Sequence, residues 1–145
     1  MTILVVNGPN LNLLGEREPE IYGNDNYQTL VKKIKDYGKE KNIKIIVMQS
    51  NHEGNMIDFL QKYRRKVDGI VINPGALTHY SYALFDCLKG INIPSVEVHL
   101  SDIDTREDFR KISVIKPACI SQIKGKGIVG YFEAIDLLQE RIIKQ

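Results

Sequence analysis

The chain has 145 residues, 43% apolar and 26% charged, with 20 Lys+Arg against 18 Asp+Glu for a formal charge of +2. That length makes one domain able to bury a core without staples; the composition excludes a disordered chain, the charge balance argues against a nucleic-acid surface, and no apolar run approaches the ~20 residues of a bilayer span. Cys87 and Cys119 make neither a disulfide framework nor a plausible zinc site, and three histidines form no dense ligand motif, so a cytoplasmic protein without a metal is expected.

The first β-rich run, Ile3 to Val6, starts at once after Met1 and Thr2 with no basic region before it, unlike a signal peptide. A helical stripe follows in Tyr27, Leu30, Val31, Ile34 and Tyr37, behind the polar N-cap cluster Asn24-Asp25-Asn26. Next come a run from Ile43 to Met48, a stripe of Met56, Phe59, Leu60, Tyr63 and Val67, and a run from Ile70 to Ile72. Tyr80, Leu84, Cys87 and Ile91 form a third stripe, before a run from Ser95 to Val98. Thr105 and Asp108, spaced like a capping pair, suggest a short helix. The last run, Ala118 to Ile123, precedes a stripe of Tyr131, Ile135, Leu138 and Ile142.

The first and third runs are continuously apolar, as strands covered on both faces must be. Five alternations of strand and helix predict a doubly wound α/β domain over residues 1–145. Its parallel sheet would have the flavodoxin-like order 2-1-3-4-5 with helices on both faces. Ligands of such sheets bind beyond the carboxyl ends of the strands, so chemistry is sought on the loops after strands one, three and four.

The loop after strand one, Asn7 to Gly23, is far longer than the usual 2–6 residues and is punctuated by Gly15, Pro19 and Gly23, which suits a lid. Arg17 and Tyr22 are its reactive side chains; the alternative is a solvated Arg and a Tyr packed on the domain. After strand two, Ser50 and Glu53 have capping-box spacing, and a cap is preferred there over chemistry at His52. After strand three, Asn73-Pro74-Gly75-Ala76-Leu77-Thr78-His79 brings an amide, backbone N–H groups and an imidazole to a helix start, an anion or hydroxyl site unless it is a plain cap. At the end of strand four, alternation puts Glu97 and His99 on one face, where a carboxylate can orient an imidazole. Ser101 and Arg110 follow. Gly125-Lys126-Gly127-Ile128-Val129-Gly130 matches G-x-G-x-x-G, yet no strand and no acidic residue stand where a dinucleotide site needs them, so a tight turn is expected.

Three other chemistries fit the residues poorly. A Schiff-base lyase needs a desolvated lysine, and Lys124 is the one candidate. A phosphorylated receiver would carry acids where Asn7 and Asn73 end strands one and three. A flavin carrier would want a hydroxyl-rich loop after strand one, but no Ser or Thr occurs from Asn7 until Thr29.

Gly8-Pro9-Asn10-Leu11-Asn12-Leu13-Leu14-Gly15, Arg17-Glu18-Pro19 and Tyr22-Gly23 resemble the opening of type II 3-dehydroquinate dehydratases. So do Gln49-Ser50-Asn51, Asn73-Pro74-Gly75-Ala76 with Thr78-His79, and Glu97-Val98-His99 with Ser101, in the family's order along nearly the whole chain. Asp102-Ile103-Asp104 stand where the family often has Asn-x-His. The resemblance implies dehydration of 3-dehydroquinate to 3-dehydroshikimate by anti elimination through an enolate, without cofactor or metal. It assigns Tyr22 as base with Arg17 beside it, His99 as general acid oriented by Glu97, and Asn10 to a water near the enolate oxygen. Asn73, His79, Leu100, Ser101 and Arg110 would bind substrate, and Asp86 would reach a neighbouring subunit's site in trimers that build a dodecamer.

Overall fold

A computed structural model describes residues 1–16 and 25–145. Five strands, β1 (Thr2–Asn7), β2 (Lys44–Gln49), β3 (Gly69–Asn73), β4 (Ser95–His99) and β5 (Ser121–Lys124), form one parallel sheet in the order β2-β1-β3-β4-β5. The helices α1 (Tyr27–Glu40), α2 (Glu53–Tyr63), α3 (Tyr82–Ile91) and α4 (Val129–Ile143) alternate with them. The predicted strand order and fold class are those observed.

Side-chain alternation divides the core. Ile3 and Val5 of β1, with Val71 and Val98, pack under α1 and α4, meeting Leu30, Ile34, Ile135 and Leu138. Leu4 and Val6, with Ile70 and Ile72, face α2 and α3 and meet Met56, Leu60, Leu84 and Leu88. The central strands are therefore buried on both faces, which is why they read as unbroken apolar runs.

Five details differ from expectation. Tyr80 is exposed and lies before α3, which starts after Ser81 because the Ser81 hydroxyl accepts from Leu84 N at 3.1 Å. Val67 lies beyond the end of α2. No capping box forms at Ser50 and Glu53: Ser50 Oγ accepts from His52 N at 3.0 Å, and the Glu53 carboxylate takes a bond from Ser81 instead. Thr105 and Asp108 do not cap one helix; Thr105 donates to Asp102 O, and two short 3₁₀ turns occupy Ile103–Thr105 and Asp108–Lys111. The fifth strand is also shorter than expected, because Pro117 seeds a 3₁₀ turn over Lys116–Ala118.

Register brings Gln49, Asn7 and Asn73 side by side at the carboxyl edge of β2, β1 and β3, and sets His99 beside Lys124 at the ends of β4 and β5. This polar row forms a floor at the carboxyl edge of the sheet. Among the described residues no helix is long and apolar enough to cross a membrane.

Candidate active site

The strand order reverses between β1 and β3, and there the two following loops interlock. Gly8 N donates to Asn73 O at 2.8 Å, and a Cβ on Gly8 would stand 2.5 Å from Pro74 O. Gly75 has φ +60°, and a Cβ there would lie 2.9 Å from Pro9 O. Only glycine allows both the left-handed turn and the close backbone approach. Asn10, itself at φ 72°, is held by Asn51, whose Oδ1 accepts from Asn10 N at 2.9 Å. Gln49 donates to Gly8 O at 3.1 Å and to Asn51 Oδ1 at 3.1 Å. The Gln49-Ser50-Asn51 loop is thus a brace for the loop after β1.

Above this floor opens a cleft with about 680 Å³ of empty space, part of it open to solvent. It brings together Asn10, Asn73, His79, His99, Leu100, Ser101 and Arg110, all predicted site residues. Leu11, Leu14 and Ile103 supply apolar wall, and Arg106 joins Arg110 on the rim. Arg106 lies four residues before Arg110 on the same loop, and the spacing of two arginines was the available signal for it. No lysine lines the cleft among the described residues; Lys124 forms an ion pair with Asp104 instead. The departure at Asp102-Ile103-Asp104 is accommodated locally, with Asp102 Oδ1 accepting from Asp104 N at 3.0 Å.

Glu97 lies beneath the cleft, wholly buried, and its carboxylate accepts three bonds: from His99 Nε2 at 2.5 Å, Ser113 Oγ at 2.8 Å and Gln122 Nε2 at 2.8 Å. Burial alone would raise its pKa, but the bonds from His99, Gln122 and Ser113 outweigh that and hold it below the ordinary value. A carboxylate only accepts, so Nε2 of His99 must carry a hydrogen. The ring is pinned through Nε2, and Nδ1 is its other functional nitrogen.

His79 is pinned in the opposite sense: its Nδ1 donates to Ile112 O at 2.7 Å, and its ring meets Phe109 edge-on. Burial pushes its pKa below the usual value, with the charge of Arg110 acting the same way and the Ile112 carbonyl opposing. A neutral His79 then offers Nε2 as an acceptor. Arg110 pairs with Glu107 on its own 3₁₀ turn. The G-x-G-x-x-G segment is a tight turn, as expected. Gly125 and Gly127 have positive φ, and their N–H groups donate to Ser101 O and Leu100 O at 3.1 Å each, so the turn supports the loop after β4 from behind.

Of the predicted residues, two are not described and one, Asp86, lies apart from this cleft. Arg17 and Tyr22 lie outside the described residues. Asp86 sits on α3 in a separate shallow groove with Ile57, Gln61 and Arg64, away from its own chain's cleft.

Known proteins of one family match the chain along nearly its whole length. The family model described as Dehydroquinase class II matches residues 1–139. The chain belongs to the class II dehydroquinase family. It is 58% identical to a 3-dehydroquinate dehydratase of Clostridium acetobutylicum over 144 residues, 99% of this chain and 100% of that one. The crystal structure of a type II dehydroquinase from Butyrivibrio crossotus is similar at TM-score 0.94 and 55% identity, covering 96% of this chain and 97% of the other. One from Propionibacterium acnes gives TM-score 0.92 at 38% identity, covering 96% of each. Within this dehydroquinase fold, the cleft at the β1–β3 switch point is the candidate site for the family's chemistry.

Proposed function

We propose that this chain is a type II 3-dehydroquinate dehydratase, converting 3-dehydroquinate to 3-dehydroshikimate in the shikimate or quinate pathway. The observation that carries this reading is the convergence of Asn10, Asn73, His79, His99, Ser101 and Arg110 on one cleft over the Glu97–His99 pair.

The elimination removes the C2 proton and the C1 hydroxyl. Tyr22 takes the proton. A tyrosine starts near pKa ~10, so bringing it to ~7 requires ~4 kcal/mol, about what one cation at ~4 Å supplies at an effective dielectric of ~20. Arg17, five residues away on the same loop, is that cation. Asn10 holds a water against the enolate oxygen as charge develops there. His99 delivers a proton to the departing hydroxyl. Because Glu97 occupies Nε2, the proton leaves from Nδ1, and Glu97 stabilises the charged ring that precedes the transfer. Arg110 and Ser101 take the substrate's carboxylate and hydroxyls together with Asn73, His79 and the backbone at Leu100. No Schiff base, metal or cofactor enters. Asp86 lies outside its own chain's cleft, which suits a residue that completes a neighbouring subunit's site in trimers assembled as a dodecamer.

The test is an ultraviolet assay for the conjugated enone product from 3-dehydroquinate. Absorbance should rise, and borohydride added with substrate should leave activity intact. A folded protein giving no absorbance rise would overturn the assignment, and covalent trapping at a lysine would move it to the Schiff-base chemistry.

A further inference from the structure

At the carboxyl ends of β1 and β3 a small polar network is sealed beneath the cleft. Tyr131, on the first turn of α4, is 0% exposed. Its hydroxyl stands 2.6 Å from Asn7 Oδ1 and 3.0 Å from Asn73 Nδ2. An amide oxygen only accepts and an NH₂ only donates, so Tyr131 must donate to Asn7 and accept from Asn73. Asn73 Oδ1 accepts in turn from Gly75 N at 3.3 Å. Flipping the Asn73 amide would set its NH₂ against the Gly75 N–H, donor against donor. Desolvation pushes the Tyr131 phenol well above its ordinary value, so the hydroxyl keeps its proton and the bond directions do not change over the working pH range. One Nδ2 hydrogen of Asn73 is then left over, on a residue that lines the cleft.

We propose that Tyr131 is a positioning residue for the dehydration: it locks the amide of Asn73 so that its remaining N–H stands ready as a donor to the anionic substrate. This rests on Asn73 being a substrate ligand, as in the proposed function. A donor fixed before binding spends no free energy on reorientation when substrate arrives. Tyr131 lies 58 residues from Asn73 and 124 from Asn7, and reaches both because α4 packs on β3 and β4 and β1 is the neighbour of β3 in the sheet.

Tyr131→Phe keeps the ring and deletes the hydroxyl, leaving the long 3.3 Å bond from Gly75 N as the remaining hold on the Asn73 amide, which then loosens from its donor geometry. KM should rise roughly tenfold, the equivalent of about one hydrogen bond, with kcat changed less than about threefold and the pH–rate profile unmoved. In an Asn73→Ala background the same substitution should add no further rise. If Asn73→Ala leaves KM unchanged, the ligand assignment itself fails. If Asn73→Ala raises KM but Tyr131→Phe does not, or if the two effects multiply, the positioning role is overturned. Should Tyr131→Phe not fold, ¹⁵N NMR of the wild-type Asn73 amide decides: one Nδ2 proton protected from exchange and the other shifting on product addition supports the lock, and two protons behaving alike overturn it.

Discussion

Substitutions at Glu97 separate charge from shape beneath His99. Glu97→Ala removes the acceptor of three donors at once. Ser113 and Gln122 are half-buried and can turn to water, but His99 is 5% exposed and cannot. A stranded buried donor costs ~1–3 kcal/mol, and truncating one partner of a buried charged pair costs ~3–5 kcal/mol in all, so a loss near ~3 kcal/mol is expected. Glu97→Gln keeps the volume and one acceptor oxygen for His99 and Gln122, while the Ser113 hydroxyl can rotate to accept from the new amide. Each bond weakens by ~1 kcal/mol on becoming neutral, but the cost of burying an anion disappears with the charge, leaving a net change within ~1 kcal/mol. With a urea slope near ~2 kcal/mol/M, the unfolding midpoint at pH 7 should fall by ~1.5 M for Ala and by less than ~0.5 M for Gln.

The same variant tests the electrostatics. Although burial opposes it, Glu97 is held below its ordinary 4.5 by its three donors. A depressed carboxyl contributes stability that is present above about pH 4.5 and is lost as pH falls through the depressed value. Urea midpoints between pH 7 and 3 should therefore drop more steeply for wild type than for Glu97→Gln. Equal midpoints for wild type and Glu97→Ala at pH 7, or parallel acid curves for wild type and Glu97→Gln, would refute the reasoning.

Four further outcomes are expected. Tyr22→Phe should lower kcat by ~10²-fold or more at saturating substrate; retention of more than about a tenth of wild-type kcat would remove Tyr22 as the base. Arg110→Ala should raise KM ~10–100-fold with kcat nearly unchanged, because its present partner Glu107 is exposed and yields readily to a substrate carboxylate; a pure kcat loss would contradict the role. Gly75→Ala should lower the melting temperature by ~4–8 °C, from ~2 kcal/mol of left-handed strain and contact with Pro9 O, as read by calorimetry. His79, whose pKa burial lowers below 6.5, binds its proton later in the folded chain than in the unfolded one, so stability should fall as pH drops below ~6.5. The urea midpoint difference between pH 7.5 and 5.5 should shrink in His79→Gln, and an unchanged difference would count against this.

What was legible in the sequence was whatever short-range pattern could encode. β1 and β3 stood out because strands covered on both faces carry no polar alternation, and loop positions then followed from the rule that parallel sheets bind at their carboxyl edge. Errors came where a long-range partner outbid a local one. Glu53 has the spacing to close a cap with Ser50, but Ser81, 28 residues on, takes its carboxylate and at the same time starts α3, which leaves Tyr80 outside the helix. The fifth strand is shorter than its apolar run for a different reason: Pro117 seeds a turn that takes Ala118, and the strand begins only at Ser121.

The site shows the same division more sharply. Residue types at loop positions were readable, but their protonation and orientation were not, since those depend on Ser113, Gln122 and Tyr131, which come from three different parts of the chain and follow no spacing rule. Glu97 and His99 share a face by alternation, yet a shared face does not say which imidazole nitrogen meets the carboxylate. Contact at Nε2 leaves Nδ1 as the ring's other nitrogen; contact at Nδ1 would have left Nε2 instead, with the identical sequence motif. Asn73 repeats the point, because its amide has a defined donor only through Tyr131 and Gly75. In the proposed mechanism the residues lining this cleft carry the chemistry, and the buried groups beneath them set its direction.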